Sequence, residues 1–189
     1  MKVLKYVLIA ILLLVAAFFL VGIINPKVEY NASIEINKPL EETFELFNNI
    51  DHLQAWIPEV KSVEVMEGEP HEAGAKLRMT VESEGNAVVL NETVLEYVPN
   101  QKVVLDFEAG AMLKTNSVQF TAKGDQTIIE GSYVCRGSNM FYRSMFRFFK
   151  GTFQTIDQGY LNNFKKFADN HISEQSNEMS VDTTKSLIQ

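Results

Sequence analysis

A chain of 189 residues with a formal net charge of −7 has room for one anchored domain but is tight for two, and it lacks the dense basic surface that nucleic acid requires. Its single cysteine, Cys135, excludes an internal disulfide and reads as a small buried strand residue. Hydrophobic residues make up 46% of the chain, so enough remains beyond the apolar N-terminus to build one core.

Tyr6 to Ile24 is a run of 19 residues without a charge. As a helix it covers about 28 Å, close to the ~30 Å hydrocarbon layer of a bilayer. Asn25-Pro26 stops it. The alternatives are a cleaved signal and a buried core helix. A signal core runs about 7–15 residues and ends at a small-x-small site. This run is longer and continues into Gly22-Ile-Ile-Asn-Pro-Lys. The expectation is therefore an uncleaved single-pass anchor over residues 1–26. Lys2, Lys5 and the α-amino group precede the span, which favours a cytoplasmic N-terminus and an extracytoplasmic domain, periplasmic or at the cell surface.

Val28 to Ile36 alternates apolar and polar residues, as a strand does. Asn37-Lys-Pro then opens a helix whose first turn carries Glu41 and Glu42 near the positive end of its dipole, with Leu40, Phe44 and Phe47 on one face. Asp51 is expected to cap a second short helix, from His52 to about Trp56, that Pro58 ends. Six strands follow: Val60–Glu67, Ala75–Ser83, Ala87–Val98, Lys102–Ala109, Met112–Ala122 and Thr127–Arg136, divided by Gly, Pro and Asn turns. Short, evenly spaced turns imply an antiparallel meander with one face covered. The cover is a long helix from a cap at Ser138-Asn139 to about Asn170. In it Phe141, Met145, Phe148, Thr152, Ile156, Tyr160, Phe164 and Phe167 recur at three- and four-residue steps. Gly151 and Gly159 inside it mark a bend or a close approach to the sheet. Residues 27–170 thus form the domain, and 171–189 read as a disordered polar tail.

The stretch from Ala32 to Val60 resembles the opening of the START-like, or SRPBCC, superfamily: a strand, a proline-led helix with a Phe pair (Phe44, Phe47), then an Asp51…Trp56…Pro58 turn into a second strand. Glu96-Tyr-Val-Pro-Asn-Gln-Lys-Val-Val-Leu resembles that family's hairpin between middle strands, and Gly124-Asp-Gln-Thr-Ile-Ile-Glu its turn into the last strand. The family includes polyketide cyclases, lipid-transfer domains and pollen-allergen relatives. The resemblance implies an α+β helix-grip fold, in which a curved seven-stranded antiparallel sheet wraps a long C-terminal helix and leaves an apolar cavity between them.

Strand alternation puts Leu77, Met79, Phe107, Val118, Phe120 and Tyr133 on the concave side. Phe141, Met145 and Phe148 come from the helix, and Trp56 closes one end. These ten are the candidate ligand-binding residues, against the alternative that they pack a solid core. The strand from Ala87 to Val98 carries polar and apolar residues on both faces and has no evident direction. Tyr133 offers a hydroxyl for a ligand's polar end, and Arg136 a charge at the mouth. Arg143, Arg147 and Lys150 form a basic helical stripe that faces either anionic lipid or water. Glu92 or Asp106 is a general base only if buried. His52, His71 and His171 are scattered, no nucleotide or hydrolase motif occurs, and neither metal nor cofactor is expected. Three functions remain open. They are a membrane-anchored binder of a hydrophobic small molecule or lipid, a cyclase-type enzyme using the same cavity, and an interaction module with a filled core.

Overall fold

The computed structural model describes residues 2–83 and 85–171. The apolar N-terminus forms one helix, α1 (Lys2–Ile24), long and apolar enough to cross a membrane. Its side chains are largely exposed, and only Gly22 is buried. The alternating segment after Pro26 is β1 (Lys27–Ile36). Pro39 stands at the N-cap of α2 (Leu40–Asn48), which leads through a 3-10 turn (Ile50–His52) into α3 (Leu53–Trp56). Asn49, not Asp51, caps this turn. Its side chain accepts from the Asp51 amide at 2.9 Å, because the Asn sits two residues upstream of the first orphan N–H.

Six strands follow: β2 (Val60–Glu67), β3 (Lys76–Ser83), β4 (Asn86–Val98), β5 (Lys102–Ala109), β6 (Met112–Lys123) and β7 (Gln126–Gly137). All pairings are antiparallel and the order is β1-β7-β6-β5-β4-β3-β2. Register shifts in β2 and between Val94 and Glu96 of β4 each add a residue on one strand and bend the sheet.

The covering helix is two helices. α4 (Met140–Phe148) ends at Phe149 (φ −98°, ψ 9°), and α5 (Lys150–Asn170) begins one residue later. Asn139 caps α4, accepting from the Tyr142 amide at 3.2 Å. The break resets the helical phase. The sheet-facing residues are Phe146, Phe153, Asp157, Leu161, Phe164 and Ala168, whereas Thr152 and Ile156 of the expected stripe face outward. Gly151 and Gly159 approach nothing: a Cβ at either would meet no atom within 4 Å. α5 runs along β1, α4 lies on β7, and α2 covers β6 and β7 near the far end. The tail expected over 171–189 lies, apart from His171, outside the described residues.

Candidate functional site

One row of side chains crosses the concave face through all seven strands. Cross-strand partners share a face, so the register joins Val28, Cys135, Lys114, Phe107, Glu92, Leu77 and Val65 in sequence. The adjoining row runs Tyr30, Tyr133, Asn116, Leu105 and Val94. Near-complete burial of Val28, Cys135, Leu77 and Val94 fixes this face as the inner one. Polar groups therefore sit inside an otherwise apolar grip.

Three of them satisfy one another. Asp157, projecting from α5, receives Lys114 Nζ at 2.6 and 2.8 Å and the Tyr30 hydroxyl at 2.6 Å. The Tyr30 and Tyr133 rings stack at 5.3 Å and 15°, and Lys114 Nζ lies 5.1 Å from the Tyr133 centroid. Gly131 makes this possible, since a Cβ there would strike the Tyr133 ring. Burial first, then the hydrogen bond to Asp157, pushes the Tyr30 hydroxyl far above its ordinary range, so it stays a donor.

Three others are not satisfied by the chain. Glu92 is 9% exposed and has no hydrogen-bond or ion-pair partner among the described residues. Burial alone raises its carboxyl to about 7. Asn116 Oδ1 is buried without a partner. The Tyr133 hydroxyl is likewise unpaired among the described residues, and is pushed up by burial and then by the Asp157 charge. Glu92 and Asn116 lie on strands separated only by β5, about 10 Å apart in strand spacing. Their cross-strand partners Phe107 and Leu105 are only half-buried.

The opposite end of the grip is solid. Phe120 meets Phe44 at 5.0 Å and Phe47 at 5.2 Å, while Phe164 meets Phe47 at 5.0 Å and Trp56 at 5.3 Å, all edge-on. The ten expected lining residues accordingly divide. Trp56, Val118 and Phe120 belong to this aromatic core. Leu77 and Met79 are buried on β3, Phe107 stands between Lys114 and Glu92, and Met145 reaches the main core from α4. Tyr133 joins the polar network. Phe141 and Phe148 are not brought to this face. They are 50% and 67% exposed, with their rings 5.7 and 6.1 Å from Phe18 of α1. Asp106 points away from the grip and accepts from Thr115 Oγ1 at 2.6 Å, and Arg136 is exposed.

Sequence reasoning left Glu92 without a face and did not find Lys114, Asn116 or Asp157. The first pair of these carried a signal, since extending the parity of Val118 and Phe120 back two and four places gives Asn116 and Lys114.

A family model described as polyketide cyclase / dehydrase and lipid transport matches residues 27–166. The chain belongs to this family. The SRPBCC resemblance carried by its opening segment is thereby established. No curated protein matches the chain in sequence. Among solved structures, Ara h 8.0201 is similar with a TM-score of 0.62 at 11% identity, over 77% of this chain and 99% of that one. TTHA0849 from Thermus thermophilus gives 0.60 at 18%, over 73% and 94%. Norcoclaurine synthase from Thalictrum flavum, solved in complex with dopamine and hydroxybenzaldehyde, gives 0.60 at 15%, over 80% and 94%. Identities this low carry the helix-grip fold and nothing finer. For this SRPBCC member the family description supports a hydrophobic-ligand role.

Proposed function

We propose that this SRPBCC protein holds an apolar small molecule or lipid with one polar end, between the inner face of β3–β6 and the α4–α5 cover, in a domain tethered to a membrane by α1. The N-terminus lies in the cytoplasm and the domain on the other side, as the flanking Lys2 and Lys5 favour. The observation that carries the reading is Glu92. Burial penalises the charged form of this carboxyl and no group of the chain offsets that penalty, so a hydrogen-bond donor brought by a ligand would be favoured there. A ligand's polar end meets that need, with Asn116 Oδ1 and the Tyr133 hydroxyl as further contacts, while Leu77, Met79, Phe107 and Met145 shield its apolar body. Each 100 Å² of apolar surface so shielded contributes roughly 2.5 kcal/mol before association costs. Trp56, Val118 and Phe120 form the closed floor.

The test is native mass spectrometry of the full chain released from detergent, wild type beside Leu90→Trp, which adds bulk to the face that Glu92 occupies. A discrete bound mass in the wild type that disappears in the variant is expected. No bound mass, or the same mass in both, would sink the reading.

The Glu92 carboxyl supports a second reading, a cyclase-type enzyme in which it moves a proton on a bound substrate, because a group titrating near 7 can both accept and donate. Glu92→Gln retaining bound ligand but losing turnover would favour that reading over simple binding.

A further inference from the structure

α4 turns one side to the sheet and sets the other against α1, which covers it only in part. Phe146 faces the sheet at 8% exposure and Ser144 is buried at 0% with Gly22 of α1 against it, whereas Met140, Phe141, Phe148 and Phe149 are 46%, 50%, 67% and 46% exposed. Four large apolar side chains on ten residues of a domain surface mark an interaction face.

What covers that face follows from its neighbour. α1 packs directly on α4. Phe18 lies between Phe141 and Phe148, parallel to the latter within 3°. Gly22 meets the Ser144 backbone so closely that a Cβ on it would collide with the Ser144 amide nitrogen. Phe18 precedes the end of the apolar helix by six residues, about 9 Å along its axis. A helix held against Phe18 and Gly22 therefore sits at the depth of the last turns of α1. If α1 spans a bilayer, that depth is the interface and the outer part of the hydrocarbon. Charge agrees. The chain is acidic overall, yet from Ser138 to Ile156 it has no Asp or Glu and carries Arg143, Arg147 and Lys150. Arg143 donates to the Gly137 carbonyl, while Arg147 and Lys150 are exposed.

We propose that α4 is an interfacial helix. Its Met140–Phe141–Phe148–Phe149 side is seated in the leaflet where α1 ends, with Arg147 and Lys150 at anionic phospholipid headgroups. The inference rests on α1 being a membrane span. Its consequence is that one wall of the ligand site lies in the lipid, so an apolar ligand passes between bilayer and grip without crossing water.

Nitroxide accessibility in the full chain tests it, in a Cys135→Ala background and in nanodiscs loaded with one chain each. Labels are introduced by Leu13→Cys in the middle of α1, by Phe149→Cys and separately Met140→Cys on α4, and by Gln119→Cys on an exposed strand position. In discs of phosphatidylcholine with phosphatidylglycerol, the ratio of oxygen to water-soluble nickel accessibility should be several-fold higher at positions 13, 149 and 140 than at 119. A high ratio at 13 with water-like values at 149 and 140 overturns the inference and leaves the anchor standing. A water-like value at 13 overturns the anchor itself. Lipid-like values on α4 only when discs carry two chains assign the face to a second copy and also overturn the inference. Arg147→Glu with Lys150→Glu should lower the ratio at 149 several-fold in anionic discs and leave 13 unchanged, and an unchanged ratio at 149 overturns the headgroup assignment.

Discussion

Replacing Glu92 with glutamine removes a titration that couples folding to pH. In the folded chain burial raises this carboxyl from 4.5 to about 7. The folded state thus keeps its proton over a range where the unfolded chain has lost it, and stability falls as pH rises from the unfolded value through the folded one. The difference of about 2.5 units corresponds to about 3 kcal/mol, present as a penalty above pH 7 and absent well below 4.5. Most of that stability is lost as pH rises from 5 to 8. In a domain of this size each kcal/mol moves the melting temperature by about 4 °C, so wild type should lose about 10 °C over that range relative to Glu92→Gln. Comparing the two proteins cancels every other titrating group they share. Thermal unfolding of the full chain in detergent, followed by the fluorescence of Trp56, reads the difference. That indole is the chain's only one, and it is buried between Phe47 and Phe164. Parallel pH profiles for wild type and variant would refute the claim that Glu92 is buried without a partner.

Asp157→Asn should lower stability by about 3–5 kcal/mol in the same assay, because it leaves the nearly buried Lys114 ammonium uncompensated, and Lys114→Met in the Asp157→Leu background should recover much of the loss. Gly22→Val should push α1 off α4. Cross-linking of Phe18→Cys to Phe148→Cys by a short bis-maleimide in the Cys135→Ala background, expected because the two native rings meet at 6.1 Å, should then be lost on a gel. Burial, opposed by Lys114 and reinforced by Asp157, pushes the Cys135 thiol from 9.0 up to about 11, which alone cuts its thiolate about a hundredfold. Maleimide labelling near neutral pH should therefore be slower in the native chain than in a denatured one by at least that factor, and equal rates would place Cys135 outside the core.

The strands were legible to within a residue or two because alternation and turn chemistry act locally, and Gly, Pro and Asn mark each reversal. What was not legible depends on a single extra residue or on tertiary contact. In β4 the bulge at Leu95 switches the inward parity from Glu92 and Val94 to Tyr97. A reading that assumes one parity throughout finds no consistent face and cannot see that Glu92 is buried. In the cover, Phe149 breaks the helix inside an apolar run without proline, so a period carried across it puts Phe141, Phe148 and Ile156 on the wrong side. The Gly22–Ser144 contact joins two segments that give no sign in sequence that they touch. Tyr133 was placed correctly on the inner face, but its neighbours Lys114 and Asp157 come from another strand and from α5.

The order of strands also governs when the domain can form. β1 follows directly on α1, yet its partner is β7, the last strand, and the Tyr30–Asp157 hydrogen bond joins groups 127 residues apart. This edge strand therefore waits, its backbone amides unpaired, until nearly the whole polypeptide has been made. The sheet closes only once β7 has been made, and a chain truncated before β7 leaves β1 open to pairing with a neighbouring chain.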